Sequence, residues 1–374
     1  MVGTWRGCAV GALAGLAALL GVVAPAQAAD FSDGTRFVFV AAQDSEQVIV
    51  IDSRDDHVAG ALAMGLVPSQ LEIAGEQGRL IAVDGRAATV SVVSVRDGGR
   101  VSVPLDFVPG RLVVAADGSR AVAAAPDQGR LAVIDVASAR LVGQGRMAPF
   151  RDLLIMPDGA RVLLSPETGD DLLLVSLADW AVTGRVEPPR AGLGGFGALS
   201  RAPDNRLAYA RALGAPAVVA VDLRTAKALG EVAAGGGKPY TNAMGITLIL
   251  PDDHAGKVTL MPASLRGGAT LSGEAGMNGV YNGWFDTVAF IPSVARKNVV
   301  VVDQQGRFRG DDIVLGAIPG RGTVTPDGRK LYLPLIDANR VAVIDAERRA
   351  LAGYVAVPHR PAIALMGRTF GLCH

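Results

Sequence analysis

One pattern recurs through the chain and limits what it can fold into. Behind a charged or small turn come four mostly β-branched or aliphatic residues, then Asp or a substitute. The copies are Val48-Ile49-Val50-Ile51-Asp52, Val90-Ser91-Val92-Val93-Ser94, Leu131-Ala132-Val133-Ile134-Asp135 and Leu172-Leu173-Leu174-Val175-Ser176. They continue as Val218-Val219-Ala220-Val221-Asp222, a weaker Val258-Thr259-Leu260-Met261-Pro262, Val299-Val300-Val301-Val302-Asp303 and Val341-Ala342-Val343-Ile344-Asp345. Their last positions step by 42, 41, 41, 46, 40, 41 and 42 residues, a regularity that unrelated strands would not keep.

A second element precedes the copies, a turn followed by a strand. Asp33-Gly34 leads into Phe37-Val38-Phe39-Val40, Asp117-Gly118 into Ala121-Val122, Asp158-Gly159 into Val162-Leu163-Leu164, and Asp327-Gly328 into Leu331-Tyr332-Leu333. Asp-Gly supplies the positive φ of a tight hairpin turn, and Gln77-Gly78 and Asp204-Asn205 are degenerate versions. A proline (Pro68, Pro109, Pro149, Pro319) often stands upstream. Four short strands in ~42 residues is the period of a propeller blade, and blades bury both faces only by stacking in a ring.

Phe39-Val40-Ala41-Ala42 followed by Gln47-Val48-Ile49-Val50-Ile51-Asp52 resembles the YVTN (YncE-like) β-propeller repeat, as do Pro-Asp-Gly-x-Arg at 157–161 and Pro-Asp-Gly-Arg-Lys at 326–330. The resemblance covers the chain beyond its leader. It implies an all-β propeller and a family rich in secreted and periplasmic binding or accessory proteins, with lactonases and quinoprotein or haem-d1 subunits among related propellers. The motif residues are structural, so it carries over no catalytic residue. The count expected is eight four-stranded blades, with seven blades and an insertion near 235–285 as the alternative.

The two ends predict how the ring closes. The chain enters its first blade at a second-strand position, Phe37 to Val40, without an innermost strand. After Asp345 it has one strand too many, Pro361-Ala362-Ile363-Ala364-Leu365-Met366. Pairing 361–366 with 37–40 completes blade one and removes an open edge.

Residues 1–28 read as a signal peptide ahead of a single domain, 29–374. Arg6 is the only charge, Cys8 to Val23 is almost wholly Ala, Gly, Leu and Val, and Ala26-Gln27-Ala28 offers small residues for cleavage. The apolar run is short for a membrane span, so the expectation is a periplasmic or extracellular protein with no stable membrane insertion after cleavage. Cys8 leaves with the leader and Cys373 remains alone, which excludes an intramolecular disulfide. The 36 basic and 36 acidic residues balance, which gives no long-range field for nucleic acid. Half the residues are hydrophobic, enough for a large core.

The chemistry is sparse. His57, His254, His359 and His374 show no ligand spacing, Asp55-Asp56-His57 and Asp252-Asp253-His254 fall in hairpin loops, and Cys373-His374 reads as a frayed tail. No metal site, cofactor or catalytic residue is therefore assigned. Gly192-Leu193-Gly194-Gly195-Phe196-Gly197 lacks the Lys-Ser/Thr of a phosphate-binding loop and reads as a long blade-joining loop, as does Gly235-Gly236-Gly237.

One constellation survives. Loops joining an outer strand to the next inner strand open at the central mouth. Two residues past their prolines stand Arg111, Arg151 and Arg321; Arg360 precedes Pro361 beside His359; Lys238 and Tyr240 flank Pro239; the next such loop carries Tyr281 and Trp284. Ordinary solvated loop arginines are the plain alternative. If the arginines converge they repel one another and favour an anion. The expectation is a binding or accessory protein for an anionic small molecule or a partner protein, with Arg111, Arg151, Arg321, Arg360, His359, Tyr240, Tyr281 and Trp284 as ligand-binding residues. The alternatives are an enzyme or redox-system subunit (a lactonase-like hydrolase or a dehydrogenase-associated propeller) and a purely structural surface protein.

Overall fold

The computed structural model describes residues 30–235 and 237–368; the expected signal peptide, 1–28, and Cys373-His374 lie outside the described residues. The strands form eight four-stranded antiparallel sheets. Seven follow chain order. The eighth, blade one, takes Pro361–Met366 as its innermost strand beside Phe37–Ala42, Gln47–Asp52 and His57–Ala63. Val38 pairs with Met366 and Val40 with Ala364, so the ring closes as the two ends predict. The region near 235–285 holds complete blades with innermost strands Tyr240–Thr241 and Tyr281–Gly283, which decides for eight blades over seven.

The eight apolar clusters show why the strands are apolar on both faces. Successive residues of a strand point to opposite faces. In blade three Ala121, Ala123, Ala132 and Ile134 pack with Leu112 against Ile81 and Val90 of blade two. Val122, Ala124, Leu131 and Val133 pack the other way, on Leu153, Val162 and Val175 of blade four. Each cluster lies in one seam between neighbours, and the last, with Tyr332 and Val341 against Val38 and Ile49, joins blade eight to blade one. Outermost strands have one blade face in solvent, and His57–Ala63 is accordingly mostly exposed or half-buried.

The Asp closing each repeat is a turn-maker. Asp135 Oδ1 accepts the Ser138 N–H at 2.8 Å, Asp222 Oδ1 accepts those of Arg224 and Thr225 at 2.8 Å, and Asp345 Oδ1 accepts that of Arg348 at 2.9 Å. Ser176, a substitute, receives Ala178 N–H at 3.2 Å. Gly118, Gly159 and Gly328 have φ near +65°, at +69°, +63° and +70°. Gly34 departs from that expectation: its φ is not positive, and its space is set by the backbone of Gly367, which an added Cβ would meet at 3.3 Å. Asp56 also departs from a simple solvated turn, because it accepts hydrogen bonds from Lys330 and Tyr332 and ties blade one to blade eight. No helix among the described residues is long and apolar enough to cross a membrane.

Candidate binding site at the channel mouth

The innermost strands of blades two, three, four and five are Gln70–Ala74, Arg111–Val114, Phe150–Ile155 and Phe196–Arg201. All innermost strands begin where a loop arrives from the preceding blade, so their leading residues ring one end of the axial channel, here the upper mouth. Arg111, Arg151, Arg321 and Arg360 all lie at that end, as do His359, Lys238, Tyr240 and Tyr281.

Trp284 does not. It follows the trailing end of Tyr281–Gly283, in the turn leading to Val288–Ser293. Its backbone N–H donates to the Gly328 carbonyl at 2.7 Å, and Arg329 stacks over its ring at 5.7 Å, both in the lower-face turn of blade eight. The three-residue length of the inner strand carries the chain from one face to the other between Tyr281 and Trp284. Proximity in sequence had placed them together.

The arginines are not an unbalanced ring of like charges, as the sequence had implied. Arg111 Nε and Nη2 lie 3.2 and 3.1 Å from Asp152 Oδ1. Arg321 Nη1 lies 2.9 Å from Glu72 Oε1. Arg360 Nε reaches Asp44 Oδ2 at 3.4 Å. Arg151 Nη2 donates to the Glu167 carbonyl at 2.7 Å and has no carboxylate partner among the described residues.

A bulge explains how blade four presents both Arg151 and Asp152. Pairing slips between Phe150↔Pro166 and Asp152↔Ser165, leaving Arg151 unpaired and exposed. The extra residue re-aims the next side chain. Asp152 Oδ2 then accepts the Leu199 N–H of blade five at 2.9 Å while Oδ1 holds Arg111 of blade three. Gln70 does similar work one seam earlier: Oε1 accepts Leu112 N–H and Nε2 donates to Gly110 O, both at 2.9 Å.

Tyr281 is buried, and its hydroxyl accepts the Gly322 N–H at 2.7 Å. Burial pushes the hydroxyl's pKa up. Burial works against the Arg321 charge, but the charge and hydrogen bonds of Glu72 outweigh it and hold the guanidinium pKa above its ordinary value. Tyr240 is buried beneath Lys238, whose Nζ stands 5.9 Å from the ring centroid. The tyrosines thus brace the wall rather than offer open faces. His359 is half-buried beside the exposed Arg360. Glu72, Asp152 and Gln70 were not singled out from sequence, although each stands two to four residues past Pro68 or Pro149, in the segments that supplied the arginines. No group of three or more His, Cys, Asp or Glu among the described residues is arranged to hold a metal ion.

No protein-family model matches the chain, and no curated protein matches it. Solved structures do. Dihydro-heme d1 dehydrogenase NirN, in complex with DHE, is 14% identical with a TM-score of 0.75, over 92% of this chain and 78% of that one. Apo AztD from Citrobacter koseri is 12% identical with a TM-score of 0.64, over 88% and 96%. Kuenenia stuttgartiensis hydrazine synthase is 17% identical with a TM-score of 0.52, over 84% and 93%. At such identities the likeness is one of fold, and the chain's own sheets make that fold an eight-bladed β-propeller.

Proposed function

We propose that the chain is an exported binding or accessory propeller with YVTN-type repeats, and that its upper mouth receives an anionic small molecule or an acidic loop of a partner protein. The observation that carries this reading is the gathering of Arg111, Arg151, Arg321 and Arg360 at one end of the channel, with Arg151 exposed and, among the described residues, bound only to a backbone carbonyl. Arg111 and Arg321, held by carboxylates, are preorganised wall groups. Arg151 and Arg360, at the exposed rim, make first contact, and guanidinium forks suit carboxylate and phosphate oxygens. Fold alone does not choose a function, so the reading rests on these residues.

A second reading, a subunit of a redox system, draws support from the likeness to NirN with DHE over 92% of the chain. Native mass spectrometry and an absorption spectrum of protein purified from its exporting host separate the two. A co-purifying chromophore favours the second. For the first, citrate or phosphate is expected to raise the melting temperature, and Arg151→Ala with Arg360→Ala to reduce that rise while leaving the anion-free melting temperature in place. An unchanged rise in the double variant overturns the proposal.

A further inference from the structure

The lower end of the channel holds a different kind of arginine. Arg201 is the last residue of blade five's innermost strand. Its guanidinium Nη1 donates to the carbonyl of Ile155, the last residue of blade four's innermost strand, at 3.1 Å. Which way that carbonyl points follows from the pairing. Met156 N–H donates to Arg161 O at 2.8 Å, so residue 156 faces the second strand. In an antiparallel pair neighbouring residues alternate, so the polar groups of Ile155 point the other way, to the unpaired edge lining the axis. The Ala202 N–H bond to Leu207 O, 2.9 Å, fixes the same alternation at Arg201. The guanidinium therefore bridges the seam between blades four and five at the channel's lower rim.

Its charge is not answered there. Arg36, Arg111, Arg309 and Arg321 each meet a carboxylate. Arg201 has none among the described residues; its one hydrogen-bond acceptor there is the Ile155 carbonyl. A guanidinium carries five N–H donors in a fixed fork, and the rest of this one meets no protein acceptor among the described residues and stays open to solvent. Burial acts on it with no opposing acidic charge and pulls its pKa down, yet a guanidinium does not give up its proton in water. A cation drawn partly out of water without a counter-charge carries a cost that a bound anion offsets.

We infer that Arg201, at the lower rim between Ile155 and blade five, is a binding site for a carboxylate- or phosphate-type oxyanion. The anion supplies the missing counter-charge through paired, charge-assisted hydrogen bonds to the free edge of the fork. The site lies at the opposite end of the innermost strands from Arg151 and Arg360. It is independent of the upper mouth and is occupied or empty regardless of what that mouth binds.

Acetate and inorganic phosphate are the probes, titrated at constant ionic strength into the full chain and read by hydrogen exchange and melting temperature. In the wild type, protection is expected in 154–159 and 200–206, the trailing ends of the two strands and the turns that follow them. Arg201→Met should weaken probe binding by about tenfold, the equivalent of one charge-assisted hydrogen bond. Arg201→Lys, which keeps the charge and loses the fork, should fall between. Arg151→Ala with Arg360→Ala should leave protection of these segments unchanged, which separates this site from the upper mouth. Probe protection absent from both segments in the wild type, or an Arg201→Met variant that binds as the wild type does, overturns the inference. Because the exchange pattern is read on the wild type, it stands as a test even if Arg201→Met fails to fold.

Discussion

Arg321 reaches past the innermost strand of blade one to grip Glu72 of blade two, with Nη1 2.9 Å from Oε1 and Nη2 3.3 Å from Oε2. Its backbone also bridges Ile363 of the intervening strand, Arg321 N–H to Ala362 O at 2.9 Å and Ala364 N–H to Arg321 O at 2.8 Å. One residue of blade eight therefore holds blades one and two, at the place where the two ends of the chain meet.

Removing either partner strands a mostly buried charge. Glu72→Gln and Arg321→Met are each expected to cost about 2–3 kcal/mol, below the range for a fully buried pair because the Arg321 side chain remains 31% exposed. The double variant should lose less than the sum, with a coupling of about 1 kcal/mol or more in a urea-unfolding cycle. Additive losses would mean that the pair does not act as a clasp.

Asp152 should matter more than the arginine it holds. Asp152→Ala abandons Arg111 and the N–H groups of Leu199 and Leu153, both 2.9 Å from the carboxylate. Leaving buried donors unmatched costs about 1–3 kcal/mol, whereas Arg111→Ala removes a side chain that is 31% exposed and leaves Asp152 its backbone donors. Urea midpoints should therefore rank wild type, Arg111→Ala, Asp152→Ala in falling order.

The fold was legible because a repeat is a long-range statement written in local residues. The steps near 42 residues counted the blades, and the surplus segment 361–366 named the closing strand. The site was legible only in part. Counting two residues past each proline found Arg111, Arg151 and Arg321 at the right end of the channel. It missed Asp152, whose direction is set by a register slip at Arg151 that no periodicity reveals. It missed Glu72 because the partner is almost 250 residues away, at separation 249. It drew Trp284 to the wrong face because the whole innermost strand, only three residues long, lies between Trp284 and the end where Tyr281 stands. Arg201 stands at the trailing end of an innermost strand, away from the proline-led loops that mark the upper mouth.

Acid should loosen the turns before the seams. Hydrogen bonds from the turn hold the Asp135 and Asp222 carboxyls below their ordinary pKa, led by the Ser138 side chain at Asp135 and the Thr225 backbone at Asp222. The Arg36 hydrogen bond does the same for Asp52. A folded-state pKa below the unfolded one gives stability that is complete above the unfolded value, about 4, and is lost as pH falls through the folded one. Unfolding free energy measured from pH 7 downward should hold steady until about pH 5 and then drop. Asp135→Asn and Asp222→Asn should each make the drop shallower, and a slope unchanged in both would remove these carboxylates from the account.

Closure itself gives the last test. Pro361–Met366 supplies the strand that pairs Phe37–Ala42, and Ala364 and Met366 fill the blade one–eight seam while Ile363 and Leu365 fill the blade one–two seam. Deleting 361–374 opens both seams and leaves an apolar strand with a free edge, which invites pairing with another chain. The loss should be a large fraction of a stability on the order of 5–15 kcal/mol, with oligomers in light scattering. A milder change separates closure from bulk loss of core. A Cβ added at Gly367 would stand 2.8 Å from the Gly34 Cα, backbone against backbone, where the first turn meets the last strand. Gly367→Ala must push these segments apart at an expected cost of about 1–3 kcal/mol, with faster hydrogen exchange in 37–42 and 361–366. If the truncated chain stays monomeric and melts with the wild type, the last strand does not close the ring in solution.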